Sequence, residues 1–194
     1  MKLKLLYVGS TFLILAIFAM IFINNNTSTV KKVTISADYP HYENLENLIG
    51  KADTIIKGKI TDFTYSQINI SQKPQSDDEY LNPGGELDNS LMPYTIFTIE
   101  IIKTYKGNIN KKETIQIKEP GGIFGNTEYV NRDSAKLKKG NNYVFFLETY
   151  PDSPASLLNP IQASYEYDAY DNIIPNEHNN IKFKIKDLDD IFNN

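Results

Sequence analysis

A small antiparallel β-barrel, held at a membrane by an N-terminal apolar helix, is the fold class this sequence predicts, and three observations predict it. Leu5 to Ile23 is a run without a charged residue; several later segments alternate apolar and polar side chains; and clusters of Gly, Pro, Asn and Asp separate those segments. Alternation with a period of two marks a half-buried strand, and the punctuating residues are the ones turns require. Five to seven such strands, a bent first strand and only short helices favour a closed antiparallel sheet over an open parallel one.

The apolar run comes first. At about 1.5 Å rise per residue it covers roughly 28 Å as a helix, close to the ~30 Å hydrocarbon core of a bilayer. A cleaved signal has a shorter apolar core followed by small residues. Here the only small-residue exit lies near Ala16 and Ala19, and Met20 to Ile23 keeps the chain apolar beyond it. The expectation is a single-pass anchor: residues 1–4 a cytoplasmic tail, 5–23 a transmembrane or signal-anchor helix, 24–37 a polar linker and 38–194 an extracellular domain. Secretion after cleavage is the alternative. Lys2 and Lys4 on one side nearly balance Lys31 and Lys32 on the other, so the short N-terminal tail with its amino group tips the orientation toward N-terminus inside. With no Cys in the chain, a lipidated cysteine cannot supply the anchor.

The formal net charge is −4, and the part beyond the run is more acidic still because Lys2 and Lys4 precede it. Nucleic acid and anionic lipid are disfavoured as partners. All but one of the 20 basic residues are Lys, Arg132 being the exception, so bidentate clamps on phosphate or carboxylate are scarce. The Lys, Ile and Asn bias reads as AT-rich coding, as in a low-GC Gram-positive bacterium.

Along the domain, Tyr42, Leu45, Leu48, Ile49 and Ala52 recur at helical spacing behind Pro40 and predict a short helix over 41–52. Thr54 to Tyr65 reads as a strand whose parity slips near Thr61 and Asp62, which implies a bulge, with Gly58 easing a bend. Residues 66–93 have no periodicity and form a long loop. Tyr94 to Tyr105 is a strand with Phe97, Ile99 and Ile101 on one face, and Thr114 to Lys118 another, closed by Pro120, Gly121 and Gly122. Ile123 to Gly140 reads as irregular. The continuous run Tyr143 to Leu147 is the central strand, covered on both faces. Tyr165 and Tyr167 alternate with Glu166 and Asp168 and pair through an Asp171-Asn172 turn with Ile173 and Ile174. Ile181, Phe183 and Ile185 alternate with lysines as a guarded edge strand, and Asp187 caps a closing helix through Phe192.

Three stretches carry a family resemblance: Ala52 to Ile60, Thr98 to Gly107 with its Tyr105-Lys106-Gly107 ending, and Leu137 to Leu147 with a Leu-x-x-Gly-x-x-Tyr approach to the buried strand. In this order they resemble the oligonucleotide/oligosaccharide-binding (OB) type barrel of netrin modules and tissue inhibitors of metalloproteinases (TIMP), and Gram-positive surface proteins of similar outline. The resemblance covers roughly residues 52–150 and implies the barrel and an extracellular setting. Inhibitors of that family chelate a protease zinc through an N-terminal cysteine, which this chain lacks, so their activity is not implied.

No pattern calls for a catalytic residue, cofactor or metal. His41 and His178 are the only imidazoles, and without Cys a zinc site needs both plus distant carboxylates. No Gly-x-Ser-x-Gly elbow occurs. Asp77-Asp78-Glu79 and Asp187, Asp189 and Asp190 do not fit a calcium loop and read as solvated acid and a helix cap. Gly121, Gly122 and Gly125 precede no helix and read as turn glycines. Tyr165, Tyr167 and Tyr170 are the candidate binding residues, as rings for a sugar or a partner's apolar side chains, against ordinary strand filling. The expected function is a non-catalytic extracellular binding module with contact loops 66–93 and 120–140, its partner a protein or cell-wall glycan and not nucleic acid; the alternative is a carboxylate-dependent hydrolase of wall material.

Overall fold

The computed structural model describes residues 30–69 and 91–193. The apolar run 5–23 and most of the loop 66–93, Asp77-Asp78-Glu79 included, lie outside the described residues. Among those described, no helix is long and apolar enough to cross a membrane.

The fold is mainly β with two short helices. In chain order the elements are β1 (Lys31–Ile35), α1 (Leu45–Lys51), β2 (Thr54–Asn69), β3 (Leu91–Lys106), β4 (Thr114–Pro120), β5 (Gly122–Phe124), β6 (Thr127–Asn131), β7 (Asn142–Tyr150), β8 (Ser153–Leu157), β9 (Ser164–Tyr167) and α2 (Ile185–Phe192). Strands β2, β3, β4, β8 and β7 pair in that order, and β7 pairs back onto β2, so the hydrogen bonding runs in a ring. Every junction is antiparallel except β4–β8, a parallel seam of two pairs, Ile117 with Ala155 and Lys118 with Ser156. Strand β9 lies on the outside edge of β7, and β1, β6 and β5 form a separate three-stranded sheet.

Two apolar clusters follow from the pleat. All five ring strands contribute to the first: Ile56 and Ile60, Phe97, Ile99 and Ile101, Ile117, Tyr143, Phe145 and Leu147, and Ala155. The second takes Ile55, Tyr105, Val144 and Phe146 from the opposite face and packs them against Leu48 of α1, Tyr165 and Tyr167 of β9, and Ile181, Ile185 and Leu188. Strand β7 is buried from Tyr143 to Leu147 because successive side chains enter the two clusters alternately. The slip foreseen in β2 is present as a register shift between Ile60 and Asp62. Gly58 is required by close approach: a Cβ there would stand 2.9 Å from the Glu100 carbonyl oxygen.

Besides the ends of the expected loop 66–93, where 66–69 and 91–93 are strand and pair with Ser66 opposite Tyr94 and Asn69 opposite Leu91, five elements differ from the sequence expectation. Lys31–Ile35, expected in the linker 24–37, is a strand because it finds a parallel partner in β6, Lys31 opposite Thr127 and Ile35 opposite Asn131. The segment after Gly122, expected to be irregular, contains the β5–β6 hairpin, turned at Gly125 with φ +56°. Strand β8, not foreseen, carries Pro154 and supplies the closing seam. Helix α1 starts later than 41, where the Asn44 side chain accepts the Asn47 N–H at 2.9 Å. The alternation over 181–185 is real, with Ile181 and Ile185 buried, but it belongs to an extended strap and not to an edge strand. Its amides are met by side chains, Ile181 N–H by Asn179 Oδ1 and Lys184 N–H by the Asp187 carboxylate, and α2 already begins at Ile185.

Candidate functional site

A cleft of about 630 Å³ opens along the outer edge of β9 between two irregular walls, residues 135–138 and 173–183. Its volume lies within the range of ordinary ligand sites. A smaller recess of about 240 Å³ continues it past Arg132, Asp133 and Ser134, sharing Ala135, Lys136, Asn176 and His178.

The first wall is held by a carboxylate. Glu119, at the end of β4, is buried and accepts the Ala135 N–H at 2.6 Å. Burial raises its pKa above the ordinary value, and the bonds from Ala135 and Ser134 only partly offset that. Ser134 Oγ accepts the Lys136 N–H, Lys136 itself standing at φ +52°. Lys138 N–H then donates to the Tyr143 hydroxyl at 3.1 Å, and Glu166 ties that hydroxyl (3.2 Å) to Asn141 Nδ2 (2.8 Å). Burial pushes the Tyr143 phenol up to about 12, so it acts as a neutral link.

The second wall is latched by amides. Gln162, almost wholly buried, accepts the Tyr42 N–H and donates to the Tyr42 carbonyl and to Asn180 Oδ1, at 2.9, 2.8 and 2.7 Å. Asn179 Nδ2 donates to the Ile161 carbonyl, and Lys182 Nζ to the carbonyls of Asn176 and Asn179. The floor is aromatic: Tyr165 and Phe183 meet edge to face with centroids 4.6 Å apart.

The three tyrosines singled out from the sequence do not share a surface. Tyr165 is floor, with its ring buried and its phenol raised to about 12 by that burial. Tyr167 is core, with the Lys57 ammonium 4.6 Å from its ring centroid. Only Tyr170, 85% exposed at the tip of the turn, is open to a partner. Lys57 also donates to both Asp171 oxygens, at 2.7 and 2.8 Å, which pins that turn, with Asp171 at φ +64°, to the wall of the ring.

The other candidates fall as follows. His178 lines the cleft and His41 does not. Among the described residues no group of three or more His, Asp or Glu side chains is placed to hold a metal ion. Asp187, expected to start the helix, lies in the first turn of α2, where its carboxylate accepts the N–H of the capping residue Lys184 at 2.8 Å; Asp189 pairs with Lys103 at 2.6 Å and Asp190 with Lys186. Gly121, Gly122 and Gly125 all have positive φ, but only Gly125 sits in the β5–β6 turn; Gly122, expected as a turn glycine, opens β5, where a Cβ would stand 2.5 Å from the Tyr65 ring. What the sequence reading missed is the rim: Lys136 and Lys138 stand on the first wall, Arg132 in the recess beyond it, and Lys182 and His178 on the second wall. The available signal was the coincidence of the single Arg with a lysine cluster in one irregular segment. No family model matches the chain, and no curated protein shows significant similarity to it.

Proposed function

We propose that this protein is a non-catalytic binding module displayed on the outer side of the membrane of a Gram-positive bacterium, with residues 5–23 as anchor and the β9 cleft as its contact site. The observation that carries the reading is the cleft itself, a recess of ligand size whose walls belong to loop segments braced on rigid strands. Part of the first wall lies in the segment 120–140 that the sequence marks as a contact loop.

The ring of β2, β3, β4, β8 and β7 is read here as a small OB-type barrel of netrin and TIMP outline. Five strands, closed through a short parallel seam and carrying the matching stretches 52–60, 98–107 and 137–147, support that reading. The test of the function is binding of purified protein to cell-wall fragments and to secreted proteins, compared with a variant carrying K136E and K138E. Retention by the parent and loss by the variant supports the module; equal retention moves the contact away from the cleft. Protease accessibility of the domain on intact cells tests the topology.

The hydrolase reading rests on Glu166 and Glu177, which both line the cleft. It requires turnover of wall glycan that E166Q and E177Q abolish.

A further inference from the structure

We infer that the cleft takes an extended acidic peptide, which pairs with the free edge of β9 and sets its carboxylates against Arg132, Lys136 and Lys138; this rests on the reading of the cleft as a binding site. The argument starts from register. Phe146 N–H donates to the Ala163 carbonyl, and β7 pairs with β9 as Val144 opposite Tyr165 and Asn142 opposite Tyr167. In an antiparallel pair the bonded residues alternate, so Ala163, Tyr165 and Tyr167 are committed to β7, while the N–H and C=O of Ser164 and Glu166 point to the other side.

On that side the chain supplies its own partner for only part of the edge. Ile173 bridges to Tyr167, and Ile174 N–H donates to the Glu166 carbonyl at 2.8 Å. The next bonding position falls to Asn176, opposite Ser164, but there the chain turns away into 176–179, with Asn179 N–H donating to the Asn176 carbonyl. The slot beside Ser164 is where the cleft opens, and Ser164 lines it. An extended peptide continuing the line of Ile173 and Ile174 meets backbone donors and acceptors of β9, with the apolar floor of Tyr165, Phe183 and Ile181 under every second side chain.

Charge selects the kind of peptide. Among the described residues, the ion pairs use Lys32, Lys57, Lys103, Lys139 and Lys186, and none involves Arg132, Lys136 or Lys138. Lys136 and Lys138 line the cleft and Arg132 lines the recess that continues it, all from one short segment of an otherwise acidic protein. The acids nearby are Asp133 beside them, Glu119, which is buried and bonded to the Ala135 N–H, Glu177 on the opposite wall, and Glu166, which is held by Asn141 and Tyr143. Carboxylates of the ligand therefore belong on the 132–138 side.

The test uses the full chain in detergent and three blocked pentapeptides that alternate Val with Glu, Gln or Lys. The Glu peptide is expected to bind at least tenfold more tightly than the Gln or Lys peptides, to weaken with salt, and to protect the Ser164 amide from hydrogen exchange. K136E with K138E is expected to lose that tenfold preference while melting at the parent temperature. Equal binding of all three peptides, or an unprotected Ser164 amide, overturns the proposal. If the peptides fail but wall fragments still bind and K136E/K138E abolishes it, the peptide reading falls and the binding module stands; if neither binds, both fall.

Discussion

The two apolar clusters on either side of the β2–β7 wall are built by different rules. The inner one draws on all five ring strands and holds, apart from the Tyr143 hydroxyl, only hydrocarbon. The outer one is closed by a short helix, an edge strand, an irregular strap and a second helix, and amide side chains stitch it at Gln162, Asn159 and Asn179. A ring of strands needs no side chain to satisfy its backbone, because the ladder does so. A strap without a ladder must have its amides and carbonyls met one by one, or bury them unpaired at a cost of about 1–3 kcal/mol each. The cleft lies on the outer side because only there do irregular segments border the sheet.

Adjacent phenylalanines on β7 give the largest test of this difference. Phe145 faces the ring interior and stacks on Tyr143 at 5.4 Å, whereas Phe146 faces the outer cluster beside Tyr165 and Phe183; both are fully buried. F145A is expected to cost about 3–5 kcal/mol by chemical denaturation, because strands on all sides hold the cavity open, and F146A to fall at or below the lower end of that range because the strap can settle. An equal or larger loss in F146A would erase the distinction. Next in size is Q162A, expected to cost about 1–3 kcal/mol by leaving the Tyr42 backbone groups unmet, and to speed hydrogen exchange in 176–184 before it does so in β3.

The wall at Glu119 sharpens the comparison through pH. Its pKa is raised by burial, so the folded state holds a proton that the unfolded chain releases near the ordinary Glu value. That contribution to stability is fully present below the ordinary value and is lost as pH rises through the folded one. E119Q, whose carbonyl still accepts the Ala135 N–H, is therefore expected to melt close to the parent in acid and above it at neutral pH, by thermal scans across that interval. A variant that melts lower at neutral pH would show the carboxylate to be worth more charged than its burial costs. The smallest effect is Y170A, expected within about 0.5 kcal/mol because the ring touches solvent; a change in wall-fragment or peptide binding would extend the contact surface to the turn.

Legibility divides along the same line. Phe97, Ile99 and Ile101, the Tyr143–Leu147 run, the slip after Ile60 and the turn at Asp171-Asn172 could be read directly, since each is a local pattern of side chains or turn residues. The β5–β6 hairpin was missed because its strands are short, and β8 because Pro154 argues against a strand unless it lies where no ladder bond is needed. Of the candidate tyrosines, spacing put Tyr165 and Tyr167 on a common face but could not say which face is covered. The outer cluster covers it, which leaves Tyr170 alone outside. Arg132, Lys136 and Lys138 were legible as a cationic cluster in one segment, but that Lys182 and His178 line the same cleft depends on the packing of two loops.

Sequence alone determined where strands run, which faces are apolar and where the chain turns, because a pleat repeats every two residues and a turn is specified by the few residues inside it. Tertiary structure decided which strands are neighbours: β1 beside β6, β4 beside β8, and the extended 181–184 segment beside none. A strand's backbone groups are the same whatever its side chains, so its partner is selected by what the rest of the chain brings alongside, and the cleft opens where the pairing of Ile173 and Ile174 with β9 ends.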